Sequence, residues 1–193
     1  MGTERTTAPK APAAIPLHRV AVDVADLLSG AIGALREQAE FEGIDIIIAG
    51  PHLPPVALDP DKIAWAVTTL VGNALRYVRK ATRRSAGGTI RIRMDVTNGA
   101  LVVAIEDDGP GIPSEKVARL FERRTESRHA AGLSLLMVRD VVVAHGGDVE
   151  VKSCCQPMDA GTCVTLRIPL EPASPHPATA EGATAAPEAS GAS

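Results

Sequence analysis

Residues 58–78, LDPDKIAWAVTTLVGNALRYV, open as a helix should and then carry polar groups that a purely packing helix has little use for. Asp59 stands as an N-cap, and Pro60 takes the first helical position, where its missing N–H is no loss and its fixed φ suits the helix. At about 100° per residue, Thr69, Asn73, Arg76 and Lys80 fall within an arc of roughly 60°, with Tyr77 at its edge. Ile63, Val67, Leu70, Val71, Ala74, Leu75 and Val78 take much of the remaining circumference. The helix is therefore buried on most sides and polar along one stripe. Either the stripe faces water, or it lines a pocket.

The flanking sequence alternates between helical and strand periods. Upstream, Asp23 caps a helix over residues 24–43, VADLLSGAIGALREQAEFEG, in which Leu27, Leu28, Ala31, Ile32, Leu35 and Ala39 keep helical spacing until Gly43. A short strand, IDIII, follows at 44–48. Downstream of Gly87-Gly88, the strands TIRIRMDV (89–96) and LVVAIED (101–107) flank Asn98-Gly99, a tight hairpin signal. Next come a short helix SEKVARLFE (114–122), a polar link, and a helix AGLSLLMVRDVVVAH (131–145) stopped by Gly146-Gly147. Two strands, DVEVKS (148–153) and TCVTLRIPL (162–170), close the order. The expected fold class is α+β, an α/β sandwich with about three main helices on one face of a mostly antiparallel, mixed sheet of about five strands.

A chain of 193 residues suits one domain. Residues 1–16 and 171–193 are rich in Ala, Pro, Ser and Thr and are expected to be disordered around a domain at 17–170. With 45% hydrophobic but only 2% aromatic residues, the core must be built from Val, Ile, Leu and Ala. A net charge of −3 and a pI near 6.0 exclude a protein that holds nucleic acid mainly through phosphates. No apolar run approaches the roughly 18 residues of a membrane span, and the start lacks a signal-peptide core, so the chain is expected to be cytoplasmic. Cys154, Cys155 and Cys163 fit neither a disulfide framework nor a zinc site and are read as reduced thiols. His18 is read as a surface residue and His145 as a residue with a capping or dipole role.

Beyond the hairpin, EDDGPGIP (106–113) puts two carboxylates at the end of an apolar strand, followed by Gly109, Pro110 and Gly111. Glycines there admit positive φ and let a ligand approach the backbone; the same residues also close ordinary turns. Taken together, the stretches resemble the ATP-binding catalytic domain of bacterial histidine kinases, in the superfamily that includes gyrase-type ATPases. NALRY resembles the family's N box, DDGPGIP its first glycine box, RLFER its F box, and AGLSLLMVRDVVVAHGGDVEV its second glycine box with the helix and strand beyond. The similarity covers about residues 17–170.

The resemblance implies a Bergerat-type fold, with Mg²⁺ and ATP as cofactors held between helices and sheet under a lid. Asn73 would ligate Mg²⁺, Arg76 would reach the phosphates, and Tyr77 would pack near ribose or adenine. Asp107 would accept from the adenine amino group, while Gly109, Gly111 and Ile112 pass close to the nucleotide. Asp108 points the other way, toward solvent or a turn. Phe121, Gly132, Leu133, Ser134 and Leu135 complete the implied ATP site. Arg123 and Arg124 either clamp phosphates or are simply solvated. No GxxxxGK[ST] loop or complete dinucleotide fingerprint is present.

The sequence departs from the family in three places. The second glycine box, usually close to GTGLGL, reads AAGLSL at 130–135, so that Ser134 either crowds the triphosphate or donates a hydrogen bond to it. The lid between Phe121 and Gly132 is short, and Arg124 replaces a second aromatic. Thr69 stands where gyrase-like members carry a glutamate base, which points away from vigorous hydrolysis. No acceptor hairpin fits within the first 16 or so residues, so a phosphoacceptor or response-regulator protein is the expected partner. The two functional readings are a kinase-type phosphotransferase and a regulator that docks on a kinase, sigma factor or response regulator.

Overall fold

The computed structural model describes residues 15–82, 87–117, 120–121, 130–156 and 160–170, with only the backbone for 79–82 and 130–133. The chain enters through β1 (Val20–Val22), then α1 (Val24–Ala31) and α2 (Gly33–Phe41), and continues into β2 (Ile44–Ala49) and β3 (Val56–Leu58). The long α3 (Pro60–Thr82) follows, then the hairpin of β4 (Gly88–Thr97) and β5 (Ala100–Asp107), and the single turn of α4 (Ser114–Val117). It closes with α5 (Ala130–Ala144), β6 (Asp148–Cys154) and β7 (Gly161–Pro169).

Five strands form one mixed sheet in the order β2-β4-β5-β7-β6. Among the described strands only β2 and β4 pair in parallel, which requires a crossover, and α3 lies within that connection. The β4–β5 turn has Asn98 at φ 52° and Gly99 at φ 68°, the left-handed pair that a two-residue hairpin demands. Alternation along the strands sends Ile90, Ile92, Leu101, Val103, Ile105, Leu166 and Ile168 to one face, all buried. Against that face pack Val67, Leu70, Val71, Leu75 and Val78 of α3, and Leu135, Val138 and Val142 of α5. As the composition requires, the core is aliphatic: Phe41, Trp65 and Tyr77 are exposed and Phe121 is half-buried.

One expectation is corrected and one element is new. The single helix expected over 24–43 is broken at Ile32 (φ −102°, ψ 3°), between Gly30 and Gly33, whose weak helix preference allows the bend while Ile32 stays fully buried. In addition, β1 and β3 form a separate two-stranded sheet whose three-residue strands are too short to show a period. The caps behave as read. Asp23 accepts from the N–H of Asp26 at 3.1 Å, and Asp23→Ala is expected to cost about 1 kcal/mol in urea denaturation. Among the described residues no helix is long and apolar enough to cross a membrane.

Candidate functional site

The polar stripe of α3 is not a uniform solvent face. Arg76 and Tyr77 are exposed, but Asn73 is half-buried and its Nδ2 donates to Ser134 Oγ at 3.3 Å. This joins the α3 stripe to the second glycine box across 61 residues of sequence. The side chain of Lys80 lies outside the described residues.

Asp107 is the last residue of β5, and its parity with the buried Leu101, Val103 and Ile105 turns its carboxylate toward the helices. Burial pushes the Asp107 carboxyl up to about 6; the charge of Asp108 adds to the rise, and the N–H of Gly109, donating to Oδ1 at 2.9 Å, opposes it. Gly109 is wedged in place: a Cβ there would lie 2.6 Å from Asp107 Oδ1 and 3.6 Å from both Tyr77 Cβ and Val78 N. The glycine loop is thus bonded to the carboxylate and lies beside the α3 wall at Tyr77 and Val78.

Gly111 has φ +73°, and a Cβ there would overlap the carbonyl oxygen of Cys154, so both conformation and space require glycine. Ile112 donates its N–H to Ser153 Oγ at 2.8 Å, and that hydroxyl donates in turn to the carbonyl of Gly161 at 2.7 Å. Sequence reasoning missed Ser153 as the seat of the loop, because its only signal is the core-facing parity it shares with Val149 and Val151 on β6. Asp108 points away, as expected, and accepts from the N–H of Thr89 at 2.9 Å. A cleft of about 740 Å³ opens on Asp107 and Asp108, but its other described walls are strand and loop residues such as Thr89, Arg91, Glu106 and Lys152, not α3.

The second glycine box is wound into α5 from Ala130 onward, so Gly132, Leu133, Ser134 and Leu135 are helical. Leu135 is buried in the core cluster, while the burial of Gly132 and the side chain of Leu133 lie outside what is described. Phe121 is half-buried beneath the guanidinium of Arg139, 5.2 Å from its ring centroid, a cation–π contact. Arg123, Arg124 and the rest of the expected lid, 122–129, lie outside the described residues. The cysteines are unbridged, Cys154 and Cys163 half-buried and Cys155 exposed.

The chain is similar to known sensor histidine kinases. The sensor histidine kinase Hik2 of Thermosynechococcus vestitus is 34% identical over 164 residues, taking in 81% of this chain and 41% of that protein. The signal transduction histidine-protein kinase BaeS of Escherichia coli is 30% identical over 165 residues, covering 82% of this chain and 33% of BaeS. The chain therefore spans less than half the length of these relatives. Among solved structures, full-length ShkA in complex with AMPPNP superposes with a TM-score of 0.69 at 26% identity, over 82% of this chain and 32% of that one. The mycobacterial sensor histidine kinase MprB does so with a TM-score of 0.65 at 25% identity, over 80% and 99%. Residues 58–172, from the end of β3 past the end of β7, match the profile described as histidine kinase-, DNA gyrase B- and HSP90-like ATPase, and the chain belongs to that family.

Proposed function

We propose that this domain binds Mg-ATP and transfers the γ-phosphoryl group to a histidine on a partner protein in two-component signalling. The observation that carries the reading is the half-buried Asp107 carboxylate beside Gly109, with Gly109 against Tyr77 on the helix that also bears Asn73. An ionised carboxylate in that position accepts from the adenine amino group through one charge-assisted bond. Tyr77 covers the base or ribose, and the exposed Arg76 reaches toward the phosphates.

The residues present fit a magnesium ion. Asn73 offers a hard amide oxygen, and Mg²⁺ takes few protein ligands beside phosphates and water. Bound there, Mg²⁺ would neutralise charge on the phosphates. Gly111 and Ile112 keep the loop backbone seated on β6, and the N–H groups of the first described turn of α5, around Gly132 and Leu133, favour phosphate oxygens. Phe121, Arg123 and Arg124 complete the phosphate side in this reading. Thr69 cannot serve as a general base for water, which favours transfer over hydrolysis. The regulator reading draws support from the second glycine box, AAGLSL at 130–135, in which Gly132 is the one glycine and which is helical from Ala130 onward.

Calorimetric titration of Mg-ATP tests the binding step. Wild type is expected to bind saturably, and Asn73→Ala to bind about tenfold more weakly, the loss of one metal-directed contact. Absence of saturable binding to wild type would remove the enzyme reading. Acid-labile label from ATP on a partner histidine would separate phosphotransfer from docking alone.

A further inference from the structure

We propose that Ser134 is a positioning residue that sets which end of the Asn73 amide faces the nucleotide's metal ion; this rests on the Mg-ATP reading above. An Asn amide is two-ended, with an oxygen that can ligate a hard cation and an NH₂ that cannot. A half-turn about its last torsion exchanges them, and an untethered amide samples both. Here Nδ2 donates to Ser134 Oγ at 3.3 Å, an orientation that leaves Oδ1 for a cation and holds when the hydroxyl proton is directed away from the amide.

The partner is itself well placed. Ser134 is the fifth residue of α5, past the four N–H groups that a helix start leaves unpaired, so it acts through its hydroxyl. Its neighbour Leu135 is 7% exposed in the same core cluster as Val71 and Ala74 of α3, which fixes the two helices against each other at this level. The family's usual glycine at this position has no side chain with which to make the contact. The device therefore belongs to this sequence, and a change back to glycine deletes it.

The role predicts a specific signature, because a hydroxyl that bonded phosphate directly would matter with or without metal. ATP affinity is measured by calorimetry in Mg²⁺ and in EDTA for wild type, Ser134→Ala, Ser134→Gly, Asn73→Ala and the Asn73→Ala/Ser134→Ala pair. The gain in affinity conferred by Mg²⁺ is expected to shrink about three- to tenfold in both Ser134 variants, the scale of one hydrogen bond. Affinity in EDTA should stay within about twofold, and Ser134→Ala should add nothing once Asn73 is gone. An unchanged Mg²⁺ gain in Ser134→Ala, or equal losses with and without metal, would overturn the proposal while leaving the pocket intact. Wild type that fails to bind ATP would overturn both. Alanine suits a helix interior, so a folded Ser134→Ala keeps the test decisive if glycine loosens α5.

Discussion

Asp107→Asn is expected to weaken ATP binding about 10- to 100-fold while making the unliganded domain more stable by about 1–3 kcal/mol at pH 7. The two effects have one cause. Burial raises the carboxyl from 3.8 to about 6, so at neutral pH the folded protein holds a charge that the unfolded chain solvates better. Asparagine removes that cost and keeps an oxygen for the N–H of Gly109, but it loses the charged acceptor for the adenine amino group.

The sign of the pH dependence follows. Below about pH 3.8 the residue is neutral in both states, and wild type and variant should be equally stable. As pH rises toward about 6 the unfolded chain releases its proton first, so wild type falls behind, and above that the gap is constant. ATP affinity runs in the opposite direction: in wild type it should drop as pH falls through about 6, whereas the variant should be flat. Urea titrations and calorimetry between pH 4 and pH 8 check both. A variant less stable than wild type at pH 7 would contradict the assignment of Asp107 as a carboxylate held charged against its surroundings.

What the sequence revealed about this site depended on how far apart the partners lie. The α3 stripe, the caps at Asp23 and Asp59 and the Asn98-Gly99 hairpin are local, and periodicity or turn chemistry within a dozen residues marks them. The carboxylate end of β5 is legible for the same reason, since strand parity alone turns Asp107 inward and Asp108 outward. The break at Ile32 was hidden because apolar spacing continues across it, and the bend changes direction without changing which side is greasy. Strands β1 and β3 were hidden because three residues do not make a pattern and their pairing spans the first two helices. The contacts of Asn73 with Ser134 and of Ile112 with Ser153 join residues 61 and 41 apart, so each residue could be named while its partner could not.

Asp59→Ala is expected to destabilise the domain by about 2–4 kcal/mol, the combined loss of a helix cap and of buried hydrogen bonds left unmade. Asp59 is 2% exposed and accepts from the N–H of His18 at 2.8 Å, the N–H of Lys62 at 3.1 Å and Lys62 Nζ at 2.7 Å. Burial pushes its carboxyl up, but the Lys62 ammonium and the two backbone donors outweigh that and hold it down at about 2. The stability it confers is therefore present above about pH 3.8 and lost as pH falls toward about 2, the reverse of Asp107. Its own N–H donates to His145 Nε2 at 3.1 Å, so the ring proton sits on Nδ1, which faces the carbonyl of Val141 at 2.9 Å. His145 thus reaches beyond the end of its own helix to tie down the start of another.

This link and the Asn73–Ser134 contact together fix how the two helices run. The start of α3 meets the end of α5 through Asp59 and His145, and the middle of α3 meets the start of α5 through Asn73 and Ser134, so the helices are antiparallel and tied at two levels. Along α3 the ties are 14 residues apart and along α5 they are 11, roughly 21 and 16 Å of helix, which leaves little slack between them. Releasing the distal tie should therefore cost global stability before it costs the pocket. In urea denaturation His145→Ala, which removes the acceptor of the Asp59 N–H, should, like Asp59→Ala, show a lower midpoint with an unchanged slope. At a temperature where it remains folded, its Mg-ATP affinity should stay within about threefold of wild type. A larger affinity loss in the folded variant would mean that the Asp59–His145 end of α5 sets the geometry of its Ser134 end.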